Sequence, residues 1–283
     1  MIAVVIVTFS AEAVMLDACV ASVEAAGDAD HVILVDNGGS AVADTAVDLV
    51  RPSRNLGFGG GANAGFRRAA ELGATSIALL NDDIEVATGW LRPLLAALDD
   101  DVTLGAVQPK LLLAGFDPPR INSVGVAVGG DGAGRDIGYG EVDGPEFAGD
   151  RPIELFTGGA VLFRAEFLQA TGGFDESYFL YYEDLDLARR GAELGWNYRC
   201  VPASVISHRV SASTARLGDA ARYWQERNRL RFAFRFGDRT MVRRALWLSI
   251  RRLRWAPRLT HTRALLAGLR LAPAALLARR RAR

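Results

Sequence analysis

The sequence is poor in cysteine, lysine and histidine, and it contains no long apolar run. Its two cysteines, Cys19 and Cys200, lie far apart without metal-ligand spacing, which predicts reduced thiols and argues against a disulfide framework or a zinc site. No apolar stretch reaches the ~18 residues needed to cross a bilayer, so no transmembrane helix is predicted. The apolar start, residues 1–7, lacks a basic leader and a cleavage site and predicts a first β-strand rather than a signal peptide.

Acidic side chains are missing from the end of the chain. The formal net charge is +0, but residues 239–283 contain 13 arginines and no aspartate or glutamate. An acidic body followed by a basic tail suggests an anionic partner. Trp247 and Trp255 stand among these arginines, which suits an anionic membrane surface; an ordinary solvated helical hairpin is an equally good interpretation. The tail offers no reading helix or aromatic platform, so we expect no nucleic-acid partner.

The rest of the sequence alternates between strand and helix patterns. Strands are predicted at 2–7, 31–35, 46–50, 76–80, 104–108, 160–163 and just before 208, and helices at 11–26, 88–98, 183–194 and 220–236, with another ending at 72. Residues 113–151 predict loops and a hairpin. This order predicts one α/β domain over residues 1–236, a single Rossmann-like, open, mostly parallel sheet with helices on both faces. A basic helical tail, interrupted at Pro257 and Pro273, is predicted for residues 237–283.

Three predicted strands are each followed by residues that could bind a ligand. These residues are Thr8 and Phe9, Asp36 and Asn37, and the triplet Asn81, Asp82 and Asp83. In open α/β sheets the ligand lies beyond the carboxyl ends of the strands, so we expect them to converge on one crevice. Adjacent carboxylates there favour a divalent cation such as Mg²⁺, which binds carboxylate oxygens and bridges to phosphates; a simple turn is the alternative.

A glycine-rich segment, residues 55–65, comes before the helix that ends at Leu72. We interpret it as a loop. It does not match a dinucleotide fingerprint, because the third glycine is missing from the required position. Its glycines would let the backbone approach a ligand closely, and Asn55 and Asn63 add polar groups that a tight turn does not need.

A second acidic cluster follows an aromatic run. Glu183, Asp184 and Asp186 either use the favourable N-terminus of a helix or supply the general base of an active site. The earlier acidic triplet favours the active-site interpretation. Asp186 and Arg189, three positions apart, predict a structural ion pair. His208, after the last predicted strand, is as good a candidate for a metal ligand as for a structural histidine.

Taken in order, these motifs resemble inverting family 2 glycosyltransferases with the GT-A fold, most closely the bacterial rhamnosyltransferase-like members. The resemblance covers residues 2–236. It rests on the opening strand with Thr8, on segments 35–38, 55–63, 80–83 and 172–176, on the pair Glu183 and Asp184, and on the region of His208. Asn81 replaces the first carboxylate of the family's Asp-x-Asp metal motif, which leaves Asp83 as the main candidate ligand.

The resemblance implies four sets of site residues. It implies donor contacts for Thr8, Phe9, Asp36, Asn37, Asn55, Gly57, Phe58, Asn63, Asn81 and Asp82; Mg²⁺ or Mn²⁺ binding for Asp83 and His208; catalysis for Asp184 as base with Glu183 in support; and acceptor-side roles for Thr157, Gly158, Gly159, Phe174 and Asp175. The implied reaction transfers a sugar, from dTDP-rhamnose or a UDP-sugar, to a hydroxyl of a cell-wall or polysaccharide acceptor.

The basic tail fits an acceptor linked to a lipid diphosphate, and with it a cytoplasmic protein held at the inner face of the cell membrane. Two other functions remain open. A sugar-phosphate nucleotidyltransferase would be expected to carry a basic glycine-rich loop after the first strand, which this sequence lacks. A catalytically silent scaffold that binds nucleotide sugars is favoured by Asn81 and disfavoured by the intact pair of Glu183 and Asp184.

Overall fold

The computed structural model describes residues 1–9, 12–39, 47–209, 212–254 and 258–281, with only the backbone for 212–217 and 280–281. The strands in these ranges are β1 (Ile2–Thr8), β2 (His31–Asp36), β3 (Asp48–Val50), β4 (Ser76–Asn81), β5 (Ile84–Val86), β6 (Leu104–Leu113), β7 (Arg120–Ser123), β8 (Val126–Val128), β9 (Gly134–Asp136), β10 (Arg151–Pro152), β11 (Ala160–Arg164) and β12 (Asn197–His208). The helices are α1 (Ala13–Ala26), α2 (Gly57–Glu71), α3 (Leu91–Asp100), α4 (Ala165–Thr171), α5 (Glu183–Glu193), α6 (Ala212–Phe236), α7 (Arg239–Arg252) and α8 (Arg258–Arg281).

Within the described ranges, ten strands form one mixed sheet. Its order is β10, β12, β6, β11, β4, β1, β2, β3, with β5 beside β12 and β7 beside β6. The run β4, β1, β2, β3 is parallel, and so are β6 and β12, whereas β11 lies antiparallel between β4 and β6. β8 and β9 form a separate hairpin. The predicted α/β class with an open sheet is confirmed.

The strand register brings predicted ligand residues to one edge of the sheet. Thr8 on β1 pairs with Asp36 on β2, and Val7 pairs with Asn81 on β4. Because these strands are parallel, their carboxyl ends open onto the same edge. The expected convergence of these strand ends is therefore confirmed.

Helices cover both faces of the sheet. Val5 and Val7 of β1 pack toward α2, α4 and α5, whereas Val4 and Ile6 pack toward α1 and α3. All four side chains are buried. Burial on both faces explains why β1 is apolar throughout instead of alternating.

The glycine-rich segment is helical, so its prediction as a loop is wrong from residue 57 onward. A Cβ atom on Gly65 would lie 2.3 Å from Cγ1 of Val5, and one on Gly61 would lie 2.9 Å from Cγ1 of Val7. Helix α2 therefore lies closer to β1 than a helix bearing side chains could. We infer that this close packing offsets the ~1 kcal/mol that each helical glycine costs relative to alanine.

Several boundaries also differ from the predicted ones. α3 begins at Leu91 rather than after Thr88, and β6 continues to Leu113. Pro273 lies inside α8 and does not interrupt it, while Pro257 lies outside the described residues.

The basic tail packs back onto α6. Leu230, Ala233 and Phe234 of α6 form a small apolar cluster with Ala245 of α7 and Ala275 of α8. Asp238 begins α7 by accepting a hydrogen bond from the Met241 N–H at 2.7 Å. The predicted boundary after residue 236 coincides with the end of α6, and the division into two domains there stays a prediction.

A buried acidic side chain fastens α5 to α6. Asp186, fully buried, accepts hydrogen bonds from Arg190 Nε at 2.7 Å, Arg235 Nη1 at 2.7 Å and the Tyr178 hydroxyl at 3.0 Å. The predicted ion pair with Arg189 is therefore wrong. The partner is one residue further along, because Arg190 lies at i+4 on the same face of the helix.

Candidate active site

Two adjoining cavities lie at the carboxyl edge of the sheet and share Asn81, Asp82 and Tyr181. The first cavity, of about 190 Å³, is also lined by Val7, Phe9, Asn37, Asn55, Gly57, Phe58, Phe179 and Leu180. The second cavity, of about 570 Å³, is also lined by Asp83, Asn122, Val126, Ala133, Gly134, Arg135, Asp136, Tyr139, Thr157, Tyr182, Glu183, Asp184, Leu185, His208, Gln225, Arg229 and Arg252. Most residues predicted for the donor line the first, and both predicted catalytic carboxylates line the second.

An asparagine network shapes the wall of the first cavity. The Asn37 amide donates to Gly57 O at 2.8 Å and to Asn55 Oδ1 at 3.2 Å, and its Oδ1 accepts from the Leu56 N–H at 2.9 Å. Gly57 has φ +74°, and a Cβ there would lie 2.2 Å from the carbonyl oxygen of Phe179. Only glycine fits this conformation and this approach, so Gly57 sets the distance between α2 and the segment 179–182.

The segment between the two cavities is strained. Phe179, Tyr181 and Tyr182 have φ values of 67°, 65° and 72°, which non-glycine residues rarely adopt. Asn228 of α6 holds this segment, because its Nδ2 donates to Leu180 O and Tyr181 O, both at 2.8 Å. Such strain persists only where surrounding structure enforces it, and it marks functional segments. The sequence showed the aromatic run but not its conformation.

Asp36 and Asn63, both predicted to contact a donor, are used inside the protein. Asp36 is almost fully buried, accepts from the Gly39 N–H at 2.7 Å and pairs with Arg51. Asn63 donates to Phe174 O and accepts from the Phe174 N–H, both at 2.9 Å. Neither side chain lines the two cavities, and their contact with a donor stays a prediction.

The predicted acceptor-side residues are divided by the structure. Thr157 lines the second cavity, and the Gly158 N–H contacts Asp184 there. Gly159 lies beneath, where an added Cβ would be 3.7 Å from His208. Phe174 is a core side chain instead.

Asp175 is also engaged within the protein. Its carboxylate binds Arg231 at 2.6 Å and Arg235 at 3.4 Å, and it does not line the second cavity. Acceptor-side roles for Phe174 and Asp175 stay predictions.

A histidine and an aspartate face each other in the second cavity. Asp83 Oδ1 and His208 Nε2 are 3.1 Å apart, and both side chains are largely buried. His208 Nδ1 lies 2.7 Å from Asn122 Oδ1. Because an amide oxygen can only accept, Nδ1 donates the proton, and the lone pair of a neutral ring then points from Nε2 toward the carboxylate.

This arrangement fits a divalent cation. Two neighbouring ligands of an octahedral ion at about 2.1 Å from the metal are about 3.0 Å apart, close to the observed separation of 3.1 Å. Across the described part of the chain, no group of three His, Cys, Asp or Glu side chains converges on one point. Asp83 and His208 would therefore hold the ion together with water and substrate oxygens, as Mg²⁺ sites often do.

Asp82, next to this pair, bridges the two cavities. Burial raises the pKa of Asp82 to about 6, and the Asp83 charge adds to the shift. The Thr8 hydroxyl opposes it by donating a hydrogen bond to the carboxylate. Thr8 thus acts behind the cavity wall.

Backbone amides orient the predicted base. Asp184 Oδ2 accepts from the Gly158 N–H at 2.8 Å, and Oδ1 accepts from the Leu185 N–H at 2.8 Å. Burial raises the pKa of Asp184 to about 6, against these two hydrogen bonds. Its neighbour Glu183 has less support: only its own backbone N–H donates to the carboxyl, and Oε2 is buried without a hydrogen-bond partner in the described ranges.

The two neighbouring carboxyls therefore differ in character. Burial, and then the charge of Asp184, raise the pKa of Glu183 well above its ordinary value. The protonated form is therefore favoured more strongly at Glu183 than at Asp184. Different environments of this kind assign separate roles to paired carboxyls.

Comparison with known proteins identifies the family. The model of glycosyl transferase family 2 matches residues 3–124. A Mycobacterium bovis protein, Mb1552, described as uncharacterized, is 32% identical over 203 residues, 70% of each chain. The chain belongs to glycosyltransferase family 2.

This family 2 glycosyltransferase also resembles a protein of named activity. The N-acetylglucosaminyl-diphospho-decaprenol L-rhamnosyltransferase of Mycobacterium tuberculosis is 26% identical to it over 220 residues, which are 65% of this chain and 68% of that protein.

Solved structures support the same fold. GalNAc-T7 with UDP, GalNAc and Mn²⁺ has a TM-score of 0.64 at 16% identity and covers 84% of this chain. This chain spans about half, 48%, of that one. The mannosyltransferase PcManGT of Pyrobaculum calidifontis, with GDP-Man and Mn²⁺, has a TM-score of 0.53 at 18% identity over 99% of this chain and 73% of its own. At these identities the likeness shows the GT-A fold.

The structure of this glycosyltransferase adds site residues that the sequence did not reveal. Asp136 of β9 lines the second cavity, and burial raises its pKa although the Ser123 hydroxyl donates to it. Gln225, Arg229 and Arg252 reach the same cavity from α6 and α7. For residues 113–151 the sequence predicted only loops and a hairpin. No pattern of residues in this region indicated that Asp136 would face Asp184.

Proposed function

We propose that this protein is an inverting glycosyltransferase that moves a sugar from a nucleotide-diphosphate donor to an acceptor hydroxyl. The observation that carries the proposal is the position of Asp184. It lines a cavity with Asp83 and His208, and that cavity adjoins the one formed by Phe9, Asn37 and Phe58. A donor spanning both cavities would have its diphosphate near the metal ligands and its sugar near the base.

The donor side has the chemistry of a nucleotide site. Phe9 and Phe179 offer apolar ring surfaces in the first cavity, and the amides of Asn37 and Asn55 offer polar edges. Mg²⁺ or Mn²⁺, held by Asp83 and His208, would supply Lewis-acid stabilisation of the leaving diphosphate. Family resemblance and the rhamnosyltransferase relative favour dTDP-rhamnose or a UDP-sugar.

The acceptor side is built for removal of a proton. Asp184 accepts the proton of the acceptor hydroxyl as that oxygen attacks the anomeric carbon, and the Gly158 and Leu185 amides hold the carboxylate in place. Burial raises the pKa of Glu183 and so opposes a second negative charge beside the base. One base acting in a single displacement gives inversion at the anomeric carbon.

A catalytically silent scaffold is the second candidate. Asn81 stands where a carboxylate would strengthen metal binding, and Asp83 and His208 are joined by no third acidic, histidine or cysteine ligand in the described ranges. Metal-dependent hydrolysis of the donor in the absence of an acceptor separates the two functions, because a scaffold binds the donor without cleaving it.

A thermal-shift experiment tests the donor proposal. We expect UDP- or dTDP-linked compounds to raise the melting temperature more with Mn²⁺ than with EDTA, since a ligand stabilises the native state that binds it. Adenine nucleotides serve as the control. If every nucleotide behaves alike with and without metal, the donor proposal is wrong.

The C-terminal helices support a further part of the proposal, a position at the membrane. None of the helices in the described ranges is long and apolar enough to cross a bilayer. The exposed large apolar side chains of α7 and α8 are Trp247, Ile250, Leu259, Leu266, Leu269, Leu276 and Leu277. The α8 residues recur at helical spacing on one face. Arginines flank them without an acidic neighbour in the tail, as in helices that lie on anionic membranes.

Vesicle binding tests this part without disturbing the fold. Leu266 and Leu277 are 51% and 58% exposed, so the double change L266E/L277E leaves the core intact. We expect it to lower partitioning onto phosphatidylglycerol vesicles at least about tenfold, since each buried leucine contributes about 1.5–3 kcal/mol. Val102→Glu, at a side chain 75% exposed beyond α3, is the control. Equal sedimentation of all three proteins would refute membrane contact through α8.

A further inference from the structure

The second cavity is lined by both acidic and basic side chains. The acidic side chains are Asp82, Asp83, Asp136, Glu183 and Asp184, and the basic ones are Arg135, Arg229 and Arg252. The proposed reaction uses the acidic part. The arginines have no role in it, although two of them come from α6 and α7, outside the β-sheet core.

Arg229 is a fixed support rather than a ligand-binding group. It is 3% exposed and donates to Glu226 at 2.8 Å, to Ser249 Oγ at 2.7 Å and to Asp131 O at 2.6 Å. It therefore joins α6, α7 and the β8–β9 turn at the mouth of the cavity. These bonds fix the part of α7 that carries Arg252.

The Arg252 guanidinium has N–H donors that the described part of the protein does not use. Its Nη1 binds Glu226, and within the described ranges its Nε and Nη2 donate to no protein acceptor. The side chain is 32% exposed and lines the cavity. Burial opposes ionisation of Glu226, but the hydrogen bonds and charges of Arg229 and Arg252, with Ser249, hold its pKa below the ordinary value. Two guanidinium groups thus share one carboxylate, which leaves a net positive charge.

Arg135 adds a second available guanidinium. Its nearest carboxylate, Asp131, is 3.9 Å away, and the side chain is 68% exposed. In the described part of the chain it donates no hydrogen bond to protein. Arg135 and Arg252 therefore bring two forks of N–H donors to one cavity, the geometry that suits phosphoryl oxygens.

We propose that Arg252 and Arg135 bind a phosphoryl group carried by the acceptor, so that its sugar hydroxyl lies at Asp184. The inference rests on the proposed glycosyl transfer and names the class of its acceptor, a sugar phosphate or sugar diphosphate. Attraction of the phosphoryl group by the arginines and its repulsion by the carboxylates would together orient the acceptor. A cavity of about 570 Å³ is large enough for a sugar with its phosphates.

The position of α7 favours a lipid-linked phosphoryl group. Ser249 and Arg252 face the cavity side of this helix, while Trp247 and Ile250 on its other side are 60% and 58% exposed. Arg251 lies over the Trp247 ring at 5.2 Å. A lipid attached to the phosphoryl group would then leave the cavity beside the surface proposed to meet the membrane.

Direct binding tests the subsite without catalysis. Geranyl diphosphate is titrated into the full chain by calorimetry in EDTA, which prevents diphosphate binding through a metal at the donor site. We expect Arg252→Gln and Arg135→Gln each to weaken binding about ten- to hundredfold, as expected for loss of charged hydrogen bonds. Arg92→Gln, at an exposed position on α3, is the control and should bind like the wild type.

The probes also distinguish the source of the phosphoryl group. Tighter binding of geranyl phosphate than of glucose 1-phosphate, each with one phosphate, identifies a lipid-linked acceptor, equal binding identifies a soluble sugar phosphate, and both support the subsite. Geraniol should not bind.

Arg135 is exposed and unnecessary for folding, so its variant stays informative if Arg252→Gln is unstable. Wild-type protein that binds no phosphoryl compound, or variants that bind as tightly as wild type, would overturn the subsite.

A transfer assay separates this inference from the proposed function. With N-acetylglucosaminyl diphosphoryl lipid as acceptor, Arg252→Gln should raise KM about tenfold or more with little change in kcat. With octyl N-acetylglucosaminide, which has no phosphate, KM should be unchanged. If phosphoryl compounds bind but no donor is consumed, the transferase proposal fails and the subsite stands. If transfer occurs and KM responds equally for both acceptors, the subsite fails and the transferase stands.

Discussion

Replacing Asp184 by asparagine should lower kcat for glycosyl transfer about a hundred- to ten-thousandfold, the contribution expected of a positioned general base. The amide can still accept from the Gly158 or Leu185 N–H, but it cannot take the proton from the acceptor hydroxyl. Donor affinity, measured by the Mn²⁺-dependent thermal shift, should be retained. Glu193→Gln, at an exposed position at the end of the same helix, is the matched control and should leave kcat unchanged.

The pH profile gives an independent test of the same assignment. The base acts only when ionised, and burial raises the pKa of Asp184 to about 6. Activity should therefore fall about tenfold per pH unit below pH ~6 and level off above it. Asp136 is one of the charges that raise this pKa, so Asp136→Asn should move the acidic limb to lower pH. A limb that stays in place, or unreduced turnover by Asp184→Asn, would assign the base elsewhere.

Replacing Asp83 by asparagine should remove metal binding almost entirely. We expect the Mn²⁺ affinity, measured by electron paramagnetic resonance in the presence of nucleotide, to fall at least about a hundredfold, and His208→Ala to behave alike. Asn122→Ala removes only the group that orients His208, and outer-shell changes of that kind typically cost about 10–100-fold in affinity.

The control for the metal prediction is Asp99→Asn, an exposed carboxylate on α3. It changes the charge of the protein by the same amount and should bind Mn²⁺ normally. If Asp83→Asn binds Mn²⁺ like this control, the pair of Asp83 and His208 is a structural hydrogen bond rather than a metal site.

Asp184 on the one hand, and Asp83 with His208 on the other, are positioned in different ways. Asp184 is positioned by backbone amides of its own helix and of a neighbouring loop, and an asparagine can keep one of these two hydrogen bonds. Asp83 and His208 come from distant parts of the sequence, at the end of β4 and the end of β12, where β5 pairs Ile84 with His208. Their distance depends on the whole sheet being formed.

The predictions from sequence that proved right share a local physical cause. A continuous apolar run such as β1 indicates a strand that is buried on both faces. The polar residues that follow β1, β2 and β4 lie at the same edge of the sheet because parallel strands have their carboxyl ends there. The pair of Glu183 and Asp184 was singled out because a buried carboxylate is costly unless it is paired or used, and its catalytic role stays a prediction. The order and spacing of these motifs also identified the family, and the family resemblance implied the architecture of the sheet.

The predictions that failed depend on contacts between distant segments. The glycines of α2 were interpreted as a loop that lets the backbone approach a ligand, but their close packing against Val5 and Val7 lies within a helix. The Asn63 side chain, predicted to contact the donor, binds the Phe174 backbone more than a hundred positions away, and its donor contact stays a prediction. No local pattern distinguishes a polar residue bound within the protein from one that faces a ligand.

The sequence by itself thus determined the α/β class, the two acidic clusters and the basic character of the tail. It also indicated the edge of the sheet at which the predicted site residues lie. Each of these features follows from the order and periodicity of neighbouring residues. Only the tertiary structure decided which side chains enter the cavities. It brought Asp136 close to Asp184, it paired His208 with Asp83, and it packed the tail so that Arg252 lines the second cavity. These contacts join residues that are far apart in the chain. The distances between such residues are set by the packing of the whole domain rather than by any single stretch of sequence.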